Sequence, residues 1–452
     1  MTSQSYIRKN FSLAWPLALN ALLMQSMLMI DTLLVSPIGE IPLAAMGIST
    51  TIIAFILGIQ MALANGTQLV LSRAFGSGLN QSISKAFWAG LILNLAAALF
   101  FWVLLTFFDQ PLIHMLTNDL SLHKQITNYL SITKYLALYT AITQVMIALF
   151  NSLGRTRVPL KGYLIELPVN AILSYVFIHG VYELDGMGVQ GAALGSVIAI
   201  TLRLCYLTFC IHYDPNISLK LTVLPHEFRI NVRKHLTEIF PVAVNVTILS
   251  IGATVYQLLY SQLNINSYVA ITLVMPWIRS GTQFMTAWAH SSAISISQAI
   301  GSKKMNDLVK NVDTSIDITI GISVICALGF ATLSLIIGDI YPNLDDSTYI
   351  ALGAIAPLYI FLPIVRGYNT VHGHVLRALG KTTAVFKINF IGQWVISIPL
   401  CAFIILGVDG SIFWAFAIQP LEEIIKALPF RQLARKSLRE FDAHKVKSLM
   451  YD

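Results

Sequence analysis

Charge is what this sequence is short of. Of 452 residues, 11% are Asp, Glu, Lys or Arg, against 56% hydrophobic, and the mean hydropathy is +0.70. A soluble domain carries about 25% charged residues, so a water-soluble globular chain is excluded and a helical integral membrane protein is indicated. Cysteine is scarce too. Cys205, Cys210, Cys326 and Cys401 all lie in apolar stretches, without disulfide or metal-ligand spacing, so neither redox chemistry nor a bound metal is expected. The short alternating segments of a β-barrel are missing. No cleavable signal peptide is expected, because Met1 to Asn10 is short and polar and the first apolar run is too long for a signal core. No Ser/His/Asp, H/D or metal-ligand cluster falls together at a membrane interface, which argues against an enzyme. The net charge of +7 comes from basic residues in alternate loops. That is a topology signal, and no nucleic-acid partner or cofactor is expected.

What the chain has in abundance is long apolar runs. Twelve spans are expected, near 11–36, 43–71, 86–108, 127–150, 158–182, 187–213, 238–263, 267–299, 313–338, 347–376, 383–406 and 411–430, each close to the ~20 residues that cross a bilayer or longer. One set of loops holds Arg8, Lys9, Arg73, Lys85, Arg155, Arg157, Lys161, Lys220, Arg229, Arg233, Lys234, Lys303, Lys304, Lys310, Arg377, Lys381 and Lys387. The opposite set holds Glu40, Asp109, Asp119, Glu183, Asp185, Asp339, Asp345, Asp346 and Asp409, with Lys124 as its basic residue. The positive-inside rule then places both termini in the cytoplasm, in a multi-pass protein of the cell membrane, the inner membrane of a bacterium.

The chain is also a duplication. Shifted by 225, Trp15-Pro16-Leu17-Ala18-Leu19-Asn20 falls on Phe240-Pro241-Val242-Ala243-Val244-Asn245, and Gly76-Ser77 falls on Gly301-Ser302. Shifted by 226, Leu153-Gly154-Arg155-Thr156 falls on Leu379-Gly380-Lys381-Thr382; at 219, Gly188-Val189-Gln190-Gly191 meets Gly407-Val408-Asp409-Gly410. Six spans per half give the same topology to each, as in parallel transporter repeats. The expected fold is an all-α membrane protein of two pseudo-symmetric six-helix bundles. The expected divisions are an N-terminal lobe over 1–213, a basic cytoplasmic linker over 214–237, a C-terminal lobe over 238–430 and a basic cytoplasmic tail over 431–452. Two such bundles suit rocking between two states better than a fixed pore.

Polar residues inside the spans mark the candidate working surfaces. The first span runs roughly 39 Å as a helix, with Asp31 as its one formal charge and Pro16 as a bending point. An acid at membrane depth is a functional-site candidate by default. Asn20 shares its face with Met24 and either Met27 or Leu28, although such an asparagine often serves only to join helices. In the fifth span Glu166, Asn170 and Ser174 recur every four residues on one face. Tyr129 and Gln144 add hydrogen-bonding groups from the fourth. These define a polar chamber in the first bundle. The second bundle reads as basic, with Arg279 and Arg366 as cleft candidates and Tyr256 where the repeat has Asp31. Arg203 is expected to snorkel to the cytoplasmic interface, Asp313 and Asp317 to cap their helix, and Glu422 and Glu423 to face water or the linker.

These features together resemble the multidrug and toxic compound extrusion (MATE) family over essentially the whole length. The resemblance is carried by Pro16 with Asp31-Thr32, by Arg73-Ala74-Phe75-Gly76-Ser77-Gly78, by Leu153-Gly154-Arg155-Thr156 followed by Asn170, and by Gly188-Val189-Gln190-Gly191-Ala192-Ala193. It implies an antiporter that expels amphiphilic, often cationic drugs on a proton or sodium gradient. It implies Asp31 as the coupling acid, with Glu166 the second candidate, and Tyr129, Gln144 and Asn170 as chamber lining. Ser174 stands where many relatives carry a second aspartate. Leu249 and Arg366 stand where sodium-coupled members carry acids, which favours proton coupling. The expected function is a monomeric, proton-coupled exporter of amphiphilic small molecules. The alternatives are a sodium-coupled drug antiporter and a flippase for lipid-linked saccharides gripped by Arg279 and Arg366.

Overall fold

The computed structural model describes residues 3–116, 120–181, 184–215, 217–219, 225–303, 308–342 and 344–440. Asp119, Glu183, Lys220 and Lys304 of the loop assignment, and the tail beyond 440, lie outside them. The chain is almost wholly helical: α1 Ser3–Val35, α2 Glu40–Gly76, α3 Asn80–Phe107, a short α4 Asp109–Leu116, α5 Leu120–Ser152, α6 Arg157–His179 and α7 Val189–His212. Then follow α8 Pro225–Tyr260, α9 Ile265–Gly281, α10 Gln283–Gly301, α11 Leu308–Ile340, α12 Asp346–Ala378, α13 Thr382–Phe390, α14 Ile398–Ala402 and α15 Ile412–Arg439. Two-residue strands at Gly180–Val181 and Leu184–Asp185 pair antiparallel between α6 and α7. Among the described residues nine helical spans are long and apolar enough to cross a membrane. With α1, the α9–α10 pair and α15 on the first, eighth and twelfth expected positions, the order is that of a twelve-span protein.

Two spans depart from uniform helix. The eighth is broken at Thr282, where Gly281 lies so close under the Phe330 ring that an added Cβ would come within 2.7 Å of it. The Gly281 carbonyl accepts the Cys326 thiol at 3.3 Å. The eleventh widens into π-helical turns at Ile391–Ser397 and Phe403–Gly407, a form that is rare and frequent at functional sites.

The internal repeat is visible in backbone detail. After α5, Gly154 adopts φ +77°, its N–H bonds Asn151 O at 3.0 Å and the Arg155 N–H bonds Phe150 O at 2.8 Å. After α12, Gly380 adopts φ +75°, with matching bonds from Gly380 to Arg377 at 3.0 Å and from Lys381 to Leu376 at 2.8 Å. Both are left-handed helix terminations that only glycine adopts without strain.

The helices gather into two compact units, residues 19–243 and residues 1–18 with 244–449. The division falls inside α1 and α8, within three residues of Pro16 and Pro241, and not in the 214–237 segment, of which residues 225–237 already belong to α8. In the unit of residues 19–243, α2 packs on α5 and α3, and α6 on α7. The start of α8 is tied into it: Arg73 pairs with Glu238, Thr67 Oγ1 meets His235 Nε2 at 3.0 Å, and Gly66 lets Ile239 approach. In the other unit the start of α1 plays the matching part. Tyr6 hydroxyl meets Ser315 Oγ at 2.8 Å, Ser295 Oγ donates to Asn10 at 2.5 Å, and Lys9 donates to Gln298 at 2.8 Å. An aromatic and aliphatic core of Tyr260, Ile278, Ile355, Tyr359 and Phe416 fills its interior.

Candidate functional site

In the unit of residues 19–243 the site begins with the approach of α7 to α6. Gly191 and Gly195 are one turn apart, the small-xxx-small spacing that lets two membrane helices pack backbone to backbone. A Cβ at Gly191 would lie 2.4 Å from the Phe177 carbonyl, and one at Gly195 would lie 2.6 Å from Ser174 Oγ and 2.8 Å from the Ser174 nitrogen. Ser196, beside Gly195, is thereby carried to the Asn170–Ser174 face of α6.

Asp31 sits at that junction, 5% exposed. Its Oδ1 accepts from Asn170 Nδ2 and from Ser174 Oγ, each at 3.0 Å, and its Oδ2 accepts from Ser196 Oγ at 3.0 Å. All three donors are neutral. Both serine hydroxyls also reach Asn170 Oδ1, Ser196 at 3.1 Å and Ser174 at 3.4 Å. A hydroxyl carries one proton, so each serine serves either the carboxylate or the amide at a given moment. Ser196 has no charge and no helical partner in its apolar span, so the sequence offered no signal for it beyond a lone hydroxyl near a glycine pair.

Asp31 opens on a cavity of about 300 Å³ lined by Met24, Met27, Met61, Tyr129, Gln144 and Tyr163 among others, with Glu166, Ser196 and Arg203 also on its wall. Gln144 Nε2 donates to the Tyr163 hydroxyl at 3.4 Å. Asn20 is buried, its Oδ1 has no partner among the described residues, and it does not line this cavity. Pro16 is inside α1, which stays helical through it.

Arg203 does not snorkel. It is 3% exposed and lies 2.6 Å from Glu166, with its guanidinium 4.2 Å from the centre of the Tyr163 ring and Nη2 donating to Thr143 at 3.4 Å. The Glu166 contact is ionic rather than an aligned hydrogen bond, because Glu166 Oε2 has no hydrogen-bond partner among the described residues. The lobe therefore does hold a cation at depth, and that cation is committed to Glu166. Among the described residues Asp31 has no cation paired with it.

The other unit has its own cavity, about 360 Å³, on which Tyr256, Arg279 and Arg366 all lie. Glu422 and Glu423 do not face water. They are 6% and 8% exposed and form the centre of a network. Glu422 accepts from the Tyr256 hydroxyl at 2.8 Å and from Lys426 Nζ at 2.9 Å. Glu423 accepts from Asn369 at 2.8 Å and is 3.4 Å from both Arg366 and Lys426. The bundle that reads as basic thus carries two acids on α15, one turn below Lys426 (i, i+4 and i, i+3). Asp313 is not a cap but pairs with Arg435 at 2.6 Å. Among the described residues no group of three His, Cys, Asp or Glu is arranged to hold a metal ion.

The sequence model of one family, described as MatE, matches residues 16–176 and 241–403. The uncharacterized transporter YisQ of Bacillus subtilis strain 168 is 23% identical over 401 residues, 86% of each chain. The probable multidrug resistance protein NorM of Streptococcus pneumoniae is 24% identical over 274 residues, 57% of this chain and 56% of that one. In fold, the crystal structure of the Vibrio cholerae MATE transporter VcmN in the bent form aligns with a TM-score of 0.86 at 18% identity, over 97% of this chain and 99% of that one. An outward-facing multidrug resistance MATE family transporter aligns at 0.84 with 14% identity, over 95% of each. The match to the family model covers both halves of the duplication, and the fold is shared over nearly the full length: this chain is a multi-pass membrane transporter of the MatE family.

Proposed function

We propose that this transporter is a proton-coupled antiporter that exports amphiphilic, mostly cationic small molecules by alternating access. It works as a monomer in the bacterial inner membrane, with both termini cytoplasmic. One observation carries the reading: among the described residues Asp31 is a buried carboxylate with neutral donors only, and it opens on a cavity walled by methionine and tyrosine. Flexible thioethers and aromatic faces with few fixed polar groups suit varied apolar bodies. The unbalanced charge of Asp31 attracts one positive ligand at a time, a proton or an organic cation, and exchange follows from that exclusivity.

Protonation also rewires the junction. A neutral carboxyl no longer needs three donors, and the hydroxyls of Ser174 and Ser196 are free to turn to Asn170 Oδ1, which both already reach. The α1–α6–α7 junction then has two hydrogen-bond arrangements that proton and cargo bias in opposite directions. The flippase alternative requires Arg279 and Arg366 to hold a diphosphate together, whereas Arg366 is engaged by Glu423 and Gln419.

The test is transport of a fluorescent organic cation in proteoliposomes with proton and sodium gradients imposed separately. Export is expected in sodium-free buffer under a pH gradient. Asp31→Asn keeps the shape and most hydrogen bonds; it should bind the cation and lose uphill export. Strict sodium dependence would overturn the coupling, and full proton-driven export by well-folded Asp31→Asn would overturn the role of Asp31.

A further inference from the structure

The last helix, α15, has two sides of different chemistry. One carries Glu422, Glu423 and Lys426 into the cavity of its own bundle. The other is turned away from that cavity and changes character along its length. Leu421, Ile424 and Leu428 are exposed on it, and Arg431, Arg435 and Arg439 continue the same intervals of three and four residues. At 100° per residue all six fall within about a quarter of the helix circumference. The stripe is about 27 Å long.

Its apolar half lies in the twelfth span, which ends near residue 430, so it meets acyl chains. Its basic half begins one turn later, where the helix leaves the hydrocarbon. The headgroup layer is roughly 5–8 Å deep on each side of a bilayer, and Arg431 and Arg435 are about 6 Å apart along the axis. Their Cβ atoms are neighbours on the helix surface, roughly 5–6 Å apart, which lets two guanidinium groups share one phosphodiester. Guanidinium is the side chain best shaped to grip such a group. The local charge is positive, with Arg431, Arg435, Lys436 and Arg439 against Asp313 and Glu440. Asp313 takes one side of Arg435 at 2.6 Å, with both side chains open to solvent. That pair is screened and leaves other guanidinium donors available. Lys436 lies 3.9 Å from Glu440. Arg431 and Arg439 have no carboxylate partner among the described residues.

We propose that this stripe binds one anionic phospholipid of the cytoplasmic leaflet, its acyl chains along Leu421, Ile424 and Leu428 and its phosphodiester on Arg431 and Arg435. The leaflet rests on the orientation proposed above; the site itself does not. An acidic soluble protein would meet the arginines and leave the leucine half unused. A headgroup held there fixes the depth of α15, and with it the Glu422–Lys426 network on the opposite side.

The experiment is lipid retention by the full-length protein, immobilised in dodecyl maltoside, where orientation plays no part. The protein is equilibrated with equimolar dioleoylphosphatidylglycerol, which is anionic, and dioleoylphosphatidylcholine, which has the same chains and no net charge. The lipids retained are quantified by mass spectrometry. Wild-type protein should favour phosphatidylglycerol about tenfold, as two cations at a membrane surface imply. Arg431→Gln with Arg435→Gln should bring the ratio close to one. Lys161→Gln with Arg229→Gln removes as much charge from exposed positions on two other helices and should leave the ratio unchanged. Equal retention by wild-type protein overturns the proposal even if a variant fails to fold. So does a preference that survives in a monodisperse Arg431/Arg435 double variant, or one that falls as far in the Lys161/Arg229 pair. Displacement of phosphatidylglycerol by inorganic phosphate would make this a free-phosphate site and overturn the lipid assignment too.

Discussion

The pairing of Glu166 with Arg203 invites a perturbation whose size follows from the geometry. Both side chains are almost wholly buried, their charged atoms are 2.6 Å apart, and apart from that contact Glu166 Oε2 has no partner among the described residues. For charges about 4 Å apart at an effective dielectric of about 20, the attraction is about 4 kcal/mol. Arg203→Met removes it and strands a buried carboxylate, which should cost about 3–5 kcal/mol. Glu166→Leu strands the cation instead, but Arg203 retains the Tyr163 face and the Thr143 hydroxyl, so the loss should lie near ~3 kcal/mol. Replacing both removes two desolvation penalties together with the attraction and should return stability to within ~1 kcal/mol of wild type. Unfolding in mixed micelles, followed by tryptophan fluorescence for the four proteins of the cycle, yields the coupling directly. Losses that simply add, leaving a coupling under ~0.5 kcal/mol, would refute the ion pair as described. The double variant answers a second question in proteoliposomes. Export that still runs on a pH gradient leaves the proton with Asp31, as expected here, while loss of that drive in a well-folded double variant transfers the role to Glu166.

Other expectations follow from the same contacts. Gly195→Ala would press a methyl group against Ser174 Oγ and its backbone nitrogen, so it should destabilise by about 1–3 kcal/mol and slow export more than Gly47→Ala, which meets nothing within 4 Å; equal transport by the two would remove Gly195 from the account. Ser196→Ala deletes one donor to Asp31 and should lower turnover several-fold with cation affinity little changed, and a wild-type rate in proteoliposomes would show the hydroxyl to be idle. For topology, cysteines introduced at Arg229 or Arg233 should react with an impermeant maleimide only from the cytoplasmic side, and one at Asp409 only from outside. Labelling of all three from one face would reverse part of the span order.

What the sequence disclosed and what it hid divide along a physical line. The spans and the duplication were legible because bilayer burial and repeat spacing act on every residue of a segment, and the paired terminations at Gly154 and Gly380 adopt the same backbone conformation. The meeting of Asp31 with Asn170 and Ser174 was half legible: the four-residue spacing on α6 fixes a face, but only packing brings α1 to it. Ser196 was hidden because its placement depends on how closely Gly191 and Gly195 let α7 approach. Arg203 was misread because depth along one helix does not say which neighbour it faces, and long basic side chains near a cytoplasmic end usually escape to water. Glu422 and Glu423 were misread for a similar reason: two acids beside a proline and a basic tail look solvated until Lys426, Arg366 and Asn369 are found around them. The break at Thr282 and the π-helical turns leave no mark in hydropathy, because the residues on either side remain apolar.

The placement of the unit boundaries inside α1 and α8 bears on how such a chain could have arisen. Each unit is completed by a helix start contributed from the other half of the sequence: residues 225–243 supply Glu238 and His235 to Arg73 and Thr67, and residues 3–18 supply Tyr6 and Asn10 to Ser315 and Ser295. A single-copy ancestor with this helix arrangement would have lacked the helix start that each unit now takes from the other repeat, and with it the carboxylate that Arg73 now pairs with. Two copies exchanging their first helical turns would have satisfied each other, as in a domain-swapped pair. Joining the genes then only made permanent an interdependence already built into the partners, and a chain severed between residues 213 and 225 should regain its form only when both pieces are made together.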